Sequence, residues 1–329
     1  HDGDLQRALE LMTLAKEAGA DCAKVQHFRA PHIVSDYGFR ALGGQQSHQS
    51  TWSKSVFEVY QDASLPWEWT QTLAEHAQRV GIEFMSAPYD LEAVDHIDPY
   101  VNAYKVGSGD VNWLEELEYI AAKGKPVILA TGAATIHDVE RAMDVLLGAQ
   151  VPIVLMQCNT NYEGTIDNVH HVNLSVLRQY ADLYPEVTLG LSDHTPGHAT
   201  VLGAVSLGAR MIEKHFTDNQ SREGPDHAFS MNPVQWKEMV ERTRELELAL
   251  GDGRKMIEAN ESETVVLQRR ALRSTRDLPA GHTLSLEDLV PLRPCPEGAC
   301  APWEHSQVVG RTLRTSLSEG QHLSWTDLE

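Results

Sequence analysis

The chain has little cysteine, little positive charge and no long apolar run, and each shortage narrows what it can be. Four cysteines, Cys22, Cys158, Cys295 and Cys300, are too few and too scattered for a disulfide framework or a paired metal knuckle. Cys22 and Cys158 fall inside apolar segments that read as strands, a usage that suits a reducing cytoplasm. No stretch of about eighteen apolar residues occurs, which excludes a membrane-spanning helix. Lys and Arg number 27 against 47 Asp and Glu, leaving a formal net charge of −20. That surplus repels nucleic acid and anionic lipid, so neither is expected as a partner. An anionic substrate would need local lysines or a metal ion to reverse the field inside its site.

What the sequence does contain is a long alternation of helical patterns with short apolar runs. Strands are expected at Cys22–Gln26, Glu83–Ser86, Ala103–Val106, Val127–Ala130, Ile153–Cys158, Thr188–Leu191 and Met211–His215. Helices are expected near 4–19, 67–80, 90–97, 113–122, 135–147, 172–182, 197–207 and 233–250. The pattern opens on a helix and counts one strand fewer than helices, which predicts a (β/α)8 TIM barrel with its first strand upstream of His1. An open doubly wound sheet usually stops at five or six units. Gly19, Gly81 and Gly208 stand between a helix and the next strand, where chain reversal favours glycine. The active site of such a barrel lies at the C-terminal ends of its strands.

The alternation ends at Gly251. A polar linker with a helical section is expected over 252–268, and a small module over 269–329. Within that module Asp277–Leu289 is echoed by Ser316–Leu328, so a compact pseudo-symmetric unit of short strands and turns is expected.

Two short runs carry the strongest chemical signal. Gly190-Leu191-Ser192-Asp193-His194 and Ile212-Glu213-Lys214-His215-Phe216 each read as a buried strand ending in histidine, with one helix between them. A βαβ unit places such residues at the same end of adjacent strands, roughly 5 Å apart, a workable spacing for two ligands of one divalent metal. The competing reading is a pair of hydrogen-bonded structural histidines. Lys24 and Gln26 share one face of their strand, and Lys105 precedes the Gly107-Ser108-Gly109-Asp110 turn. Lysines inside a barrel are costly without a partner, so they point to an anionic ligand, with a structural ion pair or a Schiff base as alternatives. Gly107-Ser108-Gly109 can hold phosphate, and Ser192 points to the side of His194 by strand alternation. Glu213 shares a face with His215, whereas Lys214 points into the surrounding helices. Glu213 and Asp110 are acids that either exchange protons or support their neighbours. Asn159–Tyr162 and Gly224–His227 follow strands and present polar groups suited to a hydroxylated ligand.

Taken together, Cys22–Gln26, Ser86–Tyr89, Ala103–Asp110, Leu129–Gly132, Gly190–Thr195, Glu213–Phe216 and Gly224–Asp226 resemble the sialic acid synthase family over nearly the whole chain. The duplicated module resembles the antifreeze-like (SAF) β-clip domain at the C-terminus of those synthases. The resemblance implies condensation of phosphoenolpyruvate with an N-acylated amino sugar, such as N-acetylmannosamine, to a nine-carbon 2-keto-3-deoxy acid and phosphate. It implies Mn2+ or another divalent cation on His194 and His215. It assigns Lys24, Lys105, Ser108 and Ser192 to phosphoenolpyruvate, Asp226 to the sugar, and Arg293 to the partner's site in a domain-swapped homodimer. Gln26, Thr131, Asn161 and Tyr162 join this substrate-binding set, with Lys24, Asp110 and Glu213 as the catalytic candidates. Ala87 and Ala130 stand where family members often carry hydroxyls near the phosphate, and Thr160 where an asparagine is found. Ser86, Thr131 and Asn161 are the candidate substitutes. A metal-dependent barrel hydrolase and a non-catalytic sugar-binding relative are the rival expectations.

Overall fold

A computed structural model describes residues 1–43, 49–50, 52–162 and 165–329. Parts of the loops 29–53 and 159–170 lie outside the described residues. The chain divides into two units, His1–Gly251 and Asp252–Glu329.

The first unit is built on a seven-stranded parallel sheet whose strands run in chain order: β1 (Cys22–His27), β2 (Glu83–Pro88), β3 (Tyr104–Val106), β4 (Val127–Ala130), β5 (Ile153–Cys158), β6 (Thr188–Asp193) and β7 (Met211–Lys214). This is the sheet of a TIM-type α/β barrel, and among the described strands β1 and β7 are each paired on one side only. The strands are short and apolar because both faces are covered; every residue of β4 is buried. Helices α1 (Leu5–Glu17), α5 (Thr70–Val80), α6 (Leu91–Ile97), α7 (Leu114–Ala121), α8 (Ile136–Gly148), α9 (Val176–Leu183), α10 (Ala199–Ser206) and α11 (Pro233–Leu250) alternate with the strands. Between β1 and α5 run three further helices that hydrophobic periodicity does not reveal: α2 (Ala30–Ile33), α3 (Asp36–Ala41) and α4 (Val56–Ala63). They are too short for a period to show, although the Ser55–Glu58 capping box that starts α4 is legible.

Alternation along each strand sorts the side chains. Val127, Leu129, Leu155, Leu189 and Leu191 face the helices in the main core. Met85, Ile128, Ala130, Met156, Cys158 and Met211 form a separate inner cluster. Gly190 belongs to this inner row, where an added Cβ would come within 2.9 Å of both Met156 Cγ and the Met211 carbonyl. Toward the strands' C-terminal ends the inner row turns polar.

The second unit contains α12 (Ser262–Gln268), a two-stranded antiparallel sheet of β8 (Ala271–Ser274) and β9 (Leu289–Leu292), and α13 (His305–Val308). The segment 252–268 groups with this unit, and Cys295 donates its N–H to the Val266 carbonyl. Leu278, Leu284 and Leu289 of one repeat pack with Leu317, Leu323 and Leu328 of the other. Leu278 and Leu317 exchange both backbone hydrogen bonds, which makes the duplication a structural pseudo-dyad.

Candidate active site

His194 and His215 follow β6 and β7 directly, and their rings lie 5.3 Å apart between centroids. His194 is 5% exposed, and its Nδ1 donates to the Asn159 carbonyl at 2.8 Å. A carbonyl only accepts, so the proton sits on Nδ1 and Nε2 keeps its lone pair. Burial, reinforced by His215, lowers the His194 pKa to about 4, so the ring is neutral at physiological pH. His215 Nδ1 stands 3.4 Å from Asp226 Oδ2. The Asp226 carboxyl is pushed up by burial and pulled down further by His215, ending below its ordinary value. Tyr162 and Phe229 pack edge-on against the pair, with centroids 4.4 Å from His194 and 5.0 Å from His215 respectively. A neutral His194 ring of fixed tautomer, a second imidazole beside it and an aromatic collar suit a divalent cation. Among the described residues no group of three or more His, Cys, Asp and Glu could hold a metal ion, so His194 and His215 are the two that would reach one here.

Beside the histidines, the inner ends of β1, β3, β6 and β7 assemble a charged floor. Lys105, with a side chain 4% exposed, places Nζ 3.5 Å from Glu213 Oε1 and donates to the Val106 carbonyl at 3.0 Å. Ser192 Oγ donates to the same Glu213 oxygen at 3.1 Å. Burial alone would raise the Glu213 pKa, but Lys105, Lys24 and His215 bring it down to about 2. Lys24 is pulled below the ordinary lysine value by burial, with Glu213 opposing and Lys105 adding. Lys105 pairs with Glu213 here, and Lys24 lies close enough to feel both charges. The structural-pair reading holds for Lys105 in the geometry of Glu213. Ser108 Oγ accepts the Gly132 N–H at 2.9 Å, and a Cβ on Gly132 would meet Thr160 at 2.5 Å and both Cys158 Sγ and Ser108 Oγ at 3.1 Å. Only glycine lets these groups close on one another.

Asp110 ends the turn after β3. Burial raises its pKa to about 6 against the pull of Lys105, and its Oδ2 is buried without a partner. A Cβ on Gly107 would lie 3.1 Å from that oxygen and 3.2 Å from Tyr89 Oη. Tyr89 in turn accepts from Gln26 Nε2 at 2.6 Å.

The NeuB family model matches residues 11–255, and the SAF domain model matches residues 269–329. The chain belongs to the NeuB family. It is 37% identical to the N,N'-diacetyllegionaminic acid synthase of Legionella pneumophila, over all of this chain and 92% of the relative. Pseudaminic acid synthase of Campylobacter jejuni is 30% identical over all of this chain and 94% of its own. Human N-acetylneuraminate-9-phosphate synthase is 28% identical over 97% of this chain and 87% of its own. Among solved structures, the N-acetylneuraminic acid synthetase of Leptospira borgpetersenii superposes with a TM-score of 0.70 at 27% identity, covering 80% of this chain and 86% of that one.

In this NeuB-family barrel Ser86 and Thr131, two of the substitutes expected beside Ala87 and Ala130, spend their hydroxyls on protein groups. Ser86 is fully buried on the helix side of β2, bonded to His27 Nδ1 at 2.7 Å and to the Val25 carbonyl at 3.2 Å. Ala87 occupies the inner face, because alternation allows only one of two neighbours there. Thr131 likewise spends its hydroxyl on the Met156 carbonyl and Tyr180 Oη, both at 2.9 Å, and lines a separate cavity of about 240 Å³ with Gln157, His171 and Tyr180. Thr131 thus turns its hydroxyl toward β5 and α9. Asn161 has a buried Oδ1 with no partner among the described residues. Arg293 stands exposed just after β9 in the second unit.

Several groups carry structural weight that the pattern of residues does not announce. Asp193 pairs with Lys214 behind the two histidines. Cys158, read as a plain strand residue, lies beside Ser108 in the floor. Glu116 on α7 is fully buried with both oxygens unpartnered, and burial raises its pKa to about 8. Strand alternation could have exposed Cys158 as inward-facing; the other two depend on contacts between distant segments.

Proposed function

We propose that the chain is a cytoplasmic nonulosonate synthase that condenses phosphoenolpyruvate with an N-acylated amino sugar. The observation that carries this reading is the pair of imidazoles 5.3 Å apart beside a floor that holds Lys24, Lys105 and Glu213. Its relatives bear the names of legionaminic, pseudaminic and sialic acid phosphate synthases, which favours a sugar-acid product over hydrolysis. Carbon 3 of phosphoenolpyruvate bonds to the aldehyde carbon of the open-chain sugar, water adds to carbon 2, and phosphate leaves with C–O cleavage. A divalent cation such as Mn2+, held by His194 and His215, supplies Lewis-acid polarisation of the aldehyde when bound. Lys24, Lys105, Ser108 and Ser192 hold the carboxylate and phosphate of phosphoenolpyruvate. Asp226 and Asn161 receive the sugar.

The two acids divide by pKa. Glu213, brought down to about 2 by Lys105 and Lys24 against its burial, stays ionised and holds Lys105 in place. Asp110, at about 6, exchanges a proton near neutrality and is the acid–base residue. Arg293 completes the partner subunit's site in a domain-swapped homodimer.

Mass spectrometry of the products from phosphoenolpyruvate and a panel of six-carbon amino sugars tests the reading. A nine-carbon keto acid and phosphate release that require both substrates are expected; phosphate release from one substrate alone would mark a hydrolase. His215→Ala should abolish Mn2+-dependent turnover with the circular dichroism spectrum retained. Mixing inactive Arg293→Ala and inactive His194→Ala subunits should restore part of the activity, because one site of each mixed dimer regains both residues. No recovery, with mixed dimers verified, would refute subunit sharing.

A further inference from the structure

Behind the two histidines lies a second, fully enclosed pair of charges. Asp193 and Lys214 are register partners at the ends of β6 and β7, and each immediately precedes one of the histidines. Alternation turns them to the opposite face, where both side chains are 1% exposed and Lys214 Nζ lies 2.6 Å from Asp193 Oδ2. Lys214 also donates to the Thr195 carbonyl at 2.6 Å. Asp193 Oδ1 accepts the Thr195 N–H at 3.0 Å and its hydroxyl at 2.9 Å, and Oδ2 accepts Thr200 Oγ1 at 2.6 Å. The residues on both sides of His194 are thus tied to the residue before His215.

We infer that the Asp193–Lys214 pair is a positioning device that sets the pitch between His194 and His215. A buried ion pair is a poor source of stability, because desolvation of two charges offsets most of their attraction, and an apolar pair of similar volume often serves as well. Direction is what the apolar pair cannot supply. Lys214 reaches across the end of the sheet to the backbone beyond His194, so the first turn after β6 cannot rotate without breaking its contacts. This turn also presents His194 Nδ1 to Asn159. The inference rests on the reading that the two imidazoles share one ligand, and names residues outside that contact as the ones that keep them convergent.

The test is the full-length Asp193→Leu/Lys214→Met double variant, compared with wild type by three measurements. The thermal melt should stay close to wild type. Mn2+ titration followed by electron paramagnetic resonance should show affinity lowered about 10-fold or more, the scale of lost support behind a metal-binding histidine. Nitrogen-15 spectra of the histidine rings should show the single Nδ1–H form of His194 give way to mixed tautomers. A variant that melts, binds Mn2+ and keeps the tautomer as wild type does would overturn the inference. Should wild type itself bind no Mn2+ while the tautomer still changes in the variant, the cation reading fails and the positioning role stands. If the double variant does not fold, Thr200→Val, which removes one donor to Asp193, takes its place; the same tautomer shift at smaller amplitude supports the inference, and an unchanged spectrum overturns it.

Discussion

Asp110 and Glu213 show how environment assigns different work to one functional group. Both are carboxylates on the same barrel rim, but Glu213 is flanked by two lysines and titrates at about 2, whereas Asp110 is mostly desolvated and titrates at about 6. Asp110 therefore gains its negative charge as pH rises through about 6. If it acts as the base, kcat/KM for phosphate release should climb across that window and level off above it. Asp110→Asn should erase this limb and slow turnover on the order of 100-fold, the scale of a lost acid–base group. A pH–rate profile that keeps its acidic limb in the variant would transfer the role to another residue. The residue types of this site are legible in the sequence, because lysine and glutamate in the middle of barrel strands violate the apolar pattern. Their division of labour is not, because it depends on which strands become neighbours.

At the scale of elements, the parallel sheet is set by runs such as Val127–Ala130, which are apolar on both faces and need cover on both. Gly190 is the tightest point of the inner row. Gly190→Ala should destabilise the barrel by about 1–3 kcal/mol through overpacking, since Met156 can shift but the Met211 carbonyl cannot. Urea unfolding followed by tryptophan fluorescence would measure it, and a neutral result would mean that β6 and β7 can part without cost. The same alternation argument that places Lys24, Lys105 and Glu213 inside also excludes Ser86, which spends its hydroxyl on His27. Thr131, by the same alternation, bonds to the Met156 carbonyl and Tyr180.

The whole molecule comprises two units with separate cores. Every residue from Asp252 to Asn260 is exposed, so the backbone there is open to a protease. Limited trypsin digestion should cut after Arg254 or Lys255 first and leave two resistant fragments. Early cleavage within either unit instead would show that the hydrophobic clusters do not define the stable bodies. The duplicated C-terminal segments are plain in the sequence, and the structure adds why they recur: each repeat supplies three leucines to a shared core that one alone could not close.

The sequence by itself determined the parallel barrel architecture, the inward lysines, the paired strand-end histidines and the repeated module. Each of these is local, readable from strand alternation, helix period or self-similarity. Tertiary structure decided the protonation and direction of those groups: the Nδ1–H tautomer of His194, the pairing of Glu213 with Lys105, and the enclosed Asp193–Lys214 tie. Such properties arise from desolvation and from contacts between segments many residues apart, and a linear pattern carries neither.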